Sequence, residues 1–473
     1  MVRLVALLLL SAVVLSCAVS PVTGRRELML LDEAQELELG RRLYPQALWG
    51  ELSGGGIYRD PRLTAYLEGM VMRLHAVSHR PHLPLKFVIH NSSVPNAWAL
   101  PGYVAITRGL VSALRNEAQF AFIMGHELGH VAARHSARQY SRGLLGELLL
   151  GLGAVFTEAE PWMLNLAALG TGLFMLKYSR SEELEADRLG VLYMARAGYR
   201  PQEAGQAHRV LLQAVQAYRQ RMDLESTEAG VLDELLSTHP RTEVRLQTVR
   251  EAMAQVGEFR PHGDGVNEER FLAMTASLRR IQKAYEHYDK ALGLYRKDRL
   301  DAAQEALRQA LAIDARQAPF YTLKGLILTQ KGLYGAAELA FKEALSLDAQ
   351  YQPAWQAKGF FHYRTGTYQR AIQALERALQ FYPQSVVSHF LKGLSHYRLG
   401  QCRQAVPHLE VAERALPRDG QVHGTLGICY ERLGRLREAY REYRHQVEVA
   451  PFTELGRHAR ARLAVLGPLL YPR

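Results

Sequence analysis

The segment Gly359-Phe360-Phe361-His362-Tyr363-Arg364-Thr365-Gly366-Thr367-Tyr368-Gln369-Arg370-Ala371 belongs to a pattern that recurs along the C-terminal part of the 473-residue chain. Gly325, Gly359, Gly393 and Gly427 lie 34 residues apart, and Gly332, Gly366, Gly400 and Gly434 keep the same step. Two sets of alanines share it, Ala303, Ala337, Ala371, Ala405 and Ala439, and Ala310, Ala344, Ala378 and Ala412. Pro383, Pro417 and Pro451 close successive units. Small residues at fixed helical positions let two antiparallel helices approach closely, and a proline ends the second before the next pair begins. The period therefore predicts an α-solenoid of about five helix pairs over residues 284–453, with a capping helix over 454–473. The first pair is degenerate, with Ala291 and Asp298 where later pairs carry glycine.

Period and composition resemble the tetratricopeptide repeat, which implies a concave face that binds peptides or proteins. Upstream, residues 27–252 mix helical periodicity with a short strand-rich region, Leu85 to Ile89 and Tyr103 to Thr107. The turn-rich run Arg260-Pro261-His262-Gly263-Asp264-Gly265 marks a linker and connecting helix over 253–283. Hydrophobic residues make up 48% and charged residues 22%, which excludes collagen-like and wholly disordered classes. Of the net charge of +11, residues 284–473 carry +9. Those basic residues alternate with acidic ones and form no dense run, so nucleic acid is not an expected partner.

At the N-terminus Arg3 precedes the apolar run Leu4 to Leu15, which is shorter than the roughly 20 residues needed to cross a bilayer. An export signal over 1–16 is expected. Val14-Leu15-Ser16-Cys17 resembles a bacterial lipobox, which implies lipidation of Cys17. With Ala18 rather than Asp next, it implies a periplasmic protein anchored to the outer membrane. Gly143 to Phe156 and Trp162 to Leu176 are apolar but too short to span, and are read as a helical hairpin able to cover a cleft. The chain has 3 cysteines, one of them Cys17, so no four-cysteine metal site is available. Cys402 and Cys429 lie in adjacent repeats, where burial as separate thiols is the favoured reading and a disulfide the alternative.

The chemistry is expected at His126-Glu127-Leu128-Gly129-His130. Residues four apart share a helix face, so His126 and His130 can present imidazole nitrogens to one Zn²⁺, with Glu127 as the general base. A third ligand must come from elsewhere. In Ser181-Glu182-Glu183-Leu184-Glu185-Ala186-Asp187, acidic residues open a second helix. Here the chain resembles the gluzincin metalloproteases of the HtpX and CAAX-prenyl-protease superfamily, whose second motif is E-x-x-A-D. The resemblance implies Glu183 as third ligand, with Glu182 and Glu185 as rivals, and Asp187 as the residue that orients a ligand histidine.

Asn96-Ala97-Trp98-Ala99-Leu100-Pro101-Gly102 and Ser237-Thr238-His239-Pro240 with Arg245 extend the resemblance to the BepA-type periplasmic branch. That branch pairs such a protease with C-terminal tetratricopeptide repeats. It implies an edge strand at Asn96, Ala97, Trp98 and Ala99 that takes the substrate backbone, with Trp98 departing from the family pattern. His239 is implied as a histidine that approaches the ion, to assist catalysis or to plug the site. The expected fold is mainly α: a helical metalloprotease domain with a small β-sheet, then the solenoid. The expected function is a zinc endopeptidase with one Zn²⁺ per chain. It would degrade misassembled envelope proteins in the periplasm, with the repeats docking substrates or the outer-membrane assembly machinery. The alternative is a periplasmic chaperone or scaffold with latent proteolysis.

Overall fold

A computed structural model describes residues 17–50, 55–143, 178–222, 243–257 and 259–471. His239 and all of the apolar hairpin but Gly143 lie outside the described residues. The protein is mainly α and forms two compact units, residues 1–314 and 315–473.

In the first unit, β1 (Cys17–Val19) pairs antiparallel with β2 (Arg26–Leu28). Helices α1 (Glu33–Trp49) and α2 (Pro61–Ala76) follow. Next come β3 (Lys86–His90), β4 (Ala97–Leu100) and β5 (Tyr103–Thr107), which form a sheet in the order β3-β5-β4. β3 runs parallel to β5 and β4 antiparallel to it, so β4 is an edge strand among the described residues. The hairpin between β4 and β5 turns on Pro101 and Gly102, and Gly102 takes a φ of +80° that a side chain would resist.

Helices α3 (Arg108–Ala113), α4 (Glu117–Ala132), α5 (Arg180–Arg196), α6 (Glu203–Met222), α7 (Glu243–Ala254), α8 (Glu268–Arg296) and α9 (Leu300–Ile313) follow among the described residues. The run Glu117 to Met124 reads in the sequence as a helix apolar on one side, yet every residue from Glu117 to Ala132 is buried. The reason is its central position, packed against α2, α5, α6, β4 and β5. The N-terminal half of α8 buries Phe271, Thr275, Leu278 and Ile281. Its Arg279 donates to the carbonyls of Ser112 and Leu114, so the segment expected as a connector is packed into this unit.

The second unit is an array of helix pairs: α10 (Ala318–Gln330) and α11 (Tyr334–Leu347), α12 (Gln352–Arg364) and α13 (Tyr368–Phe381), α14 (Val386–Arg398) and α15 (Cys402–Ala415), α16 (Gly420–Arg432) and α17 (Leu436–Val449). Helix α18 (Glu454–Leu470) begins 34 residues after α16 and so takes the place of the first helix of another pair. A Cβ on Gly359 would lie 2.5 Å from Leu375, which explains glycine where the two helices of a pair touch. Gly366 takes a φ of +74° at the end of α12, and Asp298 takes +57° at the matching position of the degenerate first pair. Cys402 and Cys429 are joined by a disulfide between α15 and α16, with Cα atoms 4.9 Å apart, so the reading of separate thiols is corrected. Among the described residues, no helix is long and apolar enough to cross a membrane.

Candidate metal centre

Two helices that touch at glycine bring the candidate ligands together. Asn116 caps α4 by accepting from the Gln119 amide, and Ser179 caps α5 in a reciprocal box with Glu182. Where α4 and α5 cross, a Cβ on Gly190 would stand 3.0 Å from the His126 backbone nitrogen, and one on Gly125 would stand 3.0 Å from the Gly190 carbonyl oxygen. A Cβ on Gly129 would stand 3.2 Å from the Ala186 Cα. The absence of side chains at the crossing lets ligands on separate helices reach one point. Gly190→Ala is accordingly expected to push the helices apart, costing about 1–3 kcal/mol of stability. It should also lower kcat/KM about tenfold through misplaced ligands. Thermal melting and a peptidase assay check both.

His126 Nε2 and His130 Nε2 lie 3.1 Å apart. Glu183 Oε2 is 3.6 Å from the first and Glu183 Oε1 is 3.4 Å from the second. Neighbouring ligands of a tetrahedral ion with bonds of ~2.0–2.1 Å stand about 3.3 Å apart, so the three separations bracket such an edge. All three residues are buried.

Hydrogen bonds behind the histidines fix where their protons sit. His126 Nδ1 donates to Asp187 Oδ1 at 3.0 Å, a carboxylate oxygen that only accepts. His135 Nε2 donates to Glu185 Oε2 at 3.1 Å, so its Nδ1 accepts from His130 Nδ1 at 2.7 Å. Both ligand histidines thus turn an unprotonated Nε2 toward the other and toward the Glu183 carboxylate. Lone pairs converging at these distances call for a cation, and two imidazoles with one carboxylate are a donor set suited to zinc. Burial pulls His126 down to about 4 against the opposing pull of Asp187, and burial lowers His130 as well, so both rings are neutral as ligands must be.

Arg245, on α7, locks the arrangement from behind. Its Nε and Nη2 donate to Asp187 Oδ2 and Oδ1 at 2.6 Å each, and its Nη1 lies 2.8 Å from Glu183 Oε2. Burial would raise Asp187, but the hydrogen bonds and charge of Arg245, with the bond from His126, hold its carboxyl well below the usual range. Tyr178 stacks on the His130 ring at 3.7 Å between centroids. Glu127 is buried on the turn between the two histidines, and its charge is felt by Arg245 and by Tyr178.

Of the sequence-predicted residues, the structure brings His126, His130, Glu183 and Asp187 to one point. The rival Glu182 is used in the α5 cap, and Glu185 in the bond to His135. Ala97, Trp98 and Ala99 lie in β4, which packs on α4, and Asn96 precedes the strand. Cys17 opens β1. Sequence reasoning missed His135 and Tyr178 and gave Arg245 no role. His135 carries no periodic signal, because Arg134 at a φ of +58° turns the chain back after α4. Glu36 and the Leu31 carbonyl hold Arg134 there.

Residues 61–253 match peptidase family M48, and residues 288–352 and 390–448 match a tetratricopeptide repeat family. Residues 330–412 match the family described as anaphase-promoting complex, cyclosome, subunit 3. The chain is 28% identical over 259 residues to the beta-barrel assembly-enhancing protease of Escherichia coli (strain K12), covering 52% of this chain and 49% of that one. It is 25% identical over 260 residues to the mitochondrial metalloendopeptidase OMA1 of Saccharomyces cerevisiae, covering 52% and 71%. The match spans about half the length of the first of these relatives. Pseudomonas aeruginosa pilF is 20% identical over 41% of this chain and 94% of that one, with a TM-score of 0.36. The chain therefore carries a peptidase M48 domain and tetratricopeptide repeats, and its relatives support a metalloprotease role.

Proposed function

We propose that the chain is a zinc-dependent endopeptidase of the bacterial cell envelope, with its peptidase domain over 27–252 and its repeats over 284–453. The single observation that carries this reading is the pair of Nε2 atoms, 3.1 Å apart, facing the Glu183 carboxylate. His126, His130 and Glu183 would hold the ion, one per chain. When bound, it supplies Lewis acidity to a water and to the scissile carbonyl.

The chain's own residues do the rest. Glu127 takes the proton from the attacking water and returns it to the leaving amine. Asp187 and His135 keep protons on the Nδ1 atoms of His126 and His130, so that neither ring competes as a base. The outer edge of β4, unpaired among the described residues, would offer main-chain groups to an extended substrate, so recognition along Asn96, Ala97, Trp98 and Ala99 would depend on backbone more than on sequence. His239 is proposed, on its motif alone, to approach the ion as an aid to catalysis or a plug.

The substrates proposed are unfolded or misassembled envelope proteins, a reading supported by the name of the Escherichia coli relative, beta-barrel assembly-enhancing protease. The repeats would dock these substrates or the outer-membrane assembly machinery, and a lipid on Cys17 would hold the chain at the outer membrane from the periplasmic side. The alternative, a chaperone or scaffold with a vestigial site, is disfavoured because every member of the ligand set and its supporting shell is intact.

Purified protein is expected to contain zinc and to cleave casein. A chelator should abolish cleavage and added Zn²⁺ should restore it. A metal-free protein, or casein hydrolysis indifferent to chelation, would overturn the proposal.

A further inference from the structure

One position of the solenoid does the same job in three successive repeats. Trp355 Nε1 donates to the Ala349 carbonyl at 2.9 Å. The next residue in register, His389, places Nε2 2.9 Å from the Pro383 carbonyl, and His423 after it places Nε2 3.0 Å from the Pro417 carbonyl. A carbonyl oxygen only accepts, so both histidines carry their proton on Nε2, as the indole must, and turn Nδ1 inward.

In the fourth repeat that inward nitrogen meets His408 Nδ1 at 2.9 Å, a group that can donate. In the fifth, the residue in register with His408 is Glu442, whose Oε2 lies 2.8 Å from His423 Nδ1. Two acceptors at that distance need a positive charge between them, and both residues are buried, His423 at 2% and Glu442 at 0% exposure.

Two further donors converge on the same place. Glu413 comes from α15, and His445 follows Glu442 by one turn on the same face of α17. One ligand atom from each of Glu413, His423, Glu442 and His445 lies within 4.8 Å of all the others. The other Glu442 oxygen accepts from Arg441 Nε at 3.0 Å, which steadies the carboxylate and leaves Oε2 directed at the cluster. A proton on His423 would answer one contact only, whereas a divalent ion engages all four groups.

We propose that Glu413, His423, Glu442 and His445 form a second divalent transition-metal site, in the repeat unit, that ties α15, α16 and α17 together. Two imidazoles and two carboxylates suit a borderline tetrahedral ion of the zinc class. The Cys402–Cys429 disulfide crosses between α15 and α16 as well, so the end of the solenoid would be held by a covalent staple and a coordinate one.

The test uses the full chain, stripped with chelator and dialysed against Zn²⁺. Wild type should take up two ions per chain. His445→Ala should take up one, with unchanged helical circular dichroism and unchanged casein cleavage, and Glu413→Gln should bind that ion at least tenfold more weakly. His126→Ala, which removes a ligand of the other centre, should still hold one ion, and Co²⁺ substituted there should give a ligand-field band that the His126→Ala/His445→Ala double variant lacks. The proposal is overturned if His445→Ala binds as much metal as wild type, or if His126→Ala binds none. A single ion that depends on His445 and not on His126 would instead support this site and sink the peptidase reading.

Discussion

Glu127→Gln is expected to lower kcat/KM on an unfolded protein substrate by about 10³-fold, within the 10²–10⁴ range of a lost general base, while zinc uptake stays at the wild-type level. The separation of the two effects follows from the geometry. The protons that prepare His126 and His130 for the metal are set by Asp187 and by His135. Gln has the shape of Glu, so the buried turn at position 127 keeps its packing, but its amide cannot take a proton from water. Metal analysis with a fluorescent casein assay on the same preparation measures both. Activity within tenfold of wild type would remove Glu127 from the mechanism. Loss of activity with survival of the cellular phenotype would shift the weight to the scaffold reading.

How far the centre can be read from the sequence depends on where each residue lies relative to a helix. His126 and His130 are legible because a four-residue spacing on a helix has one geometric meaning. Glu183 is legible only through the resemblance, since three glutamates crowd the start of α5 and nothing in their spacing ranks them. The structure ranks them by use: Glu182 closes the α5 cap and Glu185 holds His135, which leaves Glu183 facing the imidazoles. His135 is illegible because it depends on a left-handed residue, Arg134, whose conformation is fixed by a side chain about a hundred positions away, Glu36.

The solenoid was the easier half. Its period is a repeated local rule, seen in Gly359 against Leu375 and in Gly366 past the end of α12. The all-round burial of α4 was not legible in the same way. Apolar periodicity reports which face a helix hides, and a helix enclosed on every side by α2, α5, α6 and the sheet has no face left to report.

Arg245→Met should produce the largest loss of stability of any single change near the centre, and the loss should depend on metal. Without the guanidinium, the Asp187 carboxylate keeps its contacts with His126 and His208 and Glu183 loses a partner at 2.8 Å, both carboxylates at 1% exposure or less. Breaking a buried pair from one side costs about 3–5 kcal/mol, because the remaining charge is stranded. For a domain of this size each kcal/mol shifts the melting temperature by about 2–4 °C, so the metal-free variant should melt roughly 10 °C below wild type. Zinc changes the balance, since a divalent ion on Glu183 takes over part of the neutralisation, and the deficit should shrink when the site is loaded. Arg245→Lys keeps the charge but not the fork that grips both oxygens of Asp187 and reaches Glu183, so it should recover less than half of the loss. Scanning calorimetry of wild type and both variants, with chelator and with Zn²⁺, resolves the three effects. An apo Arg245→Met protein that melts within 2 °C of wild type would mean that the carboxylates are paired by some other group and that Arg245 is not what holds the ligand shell.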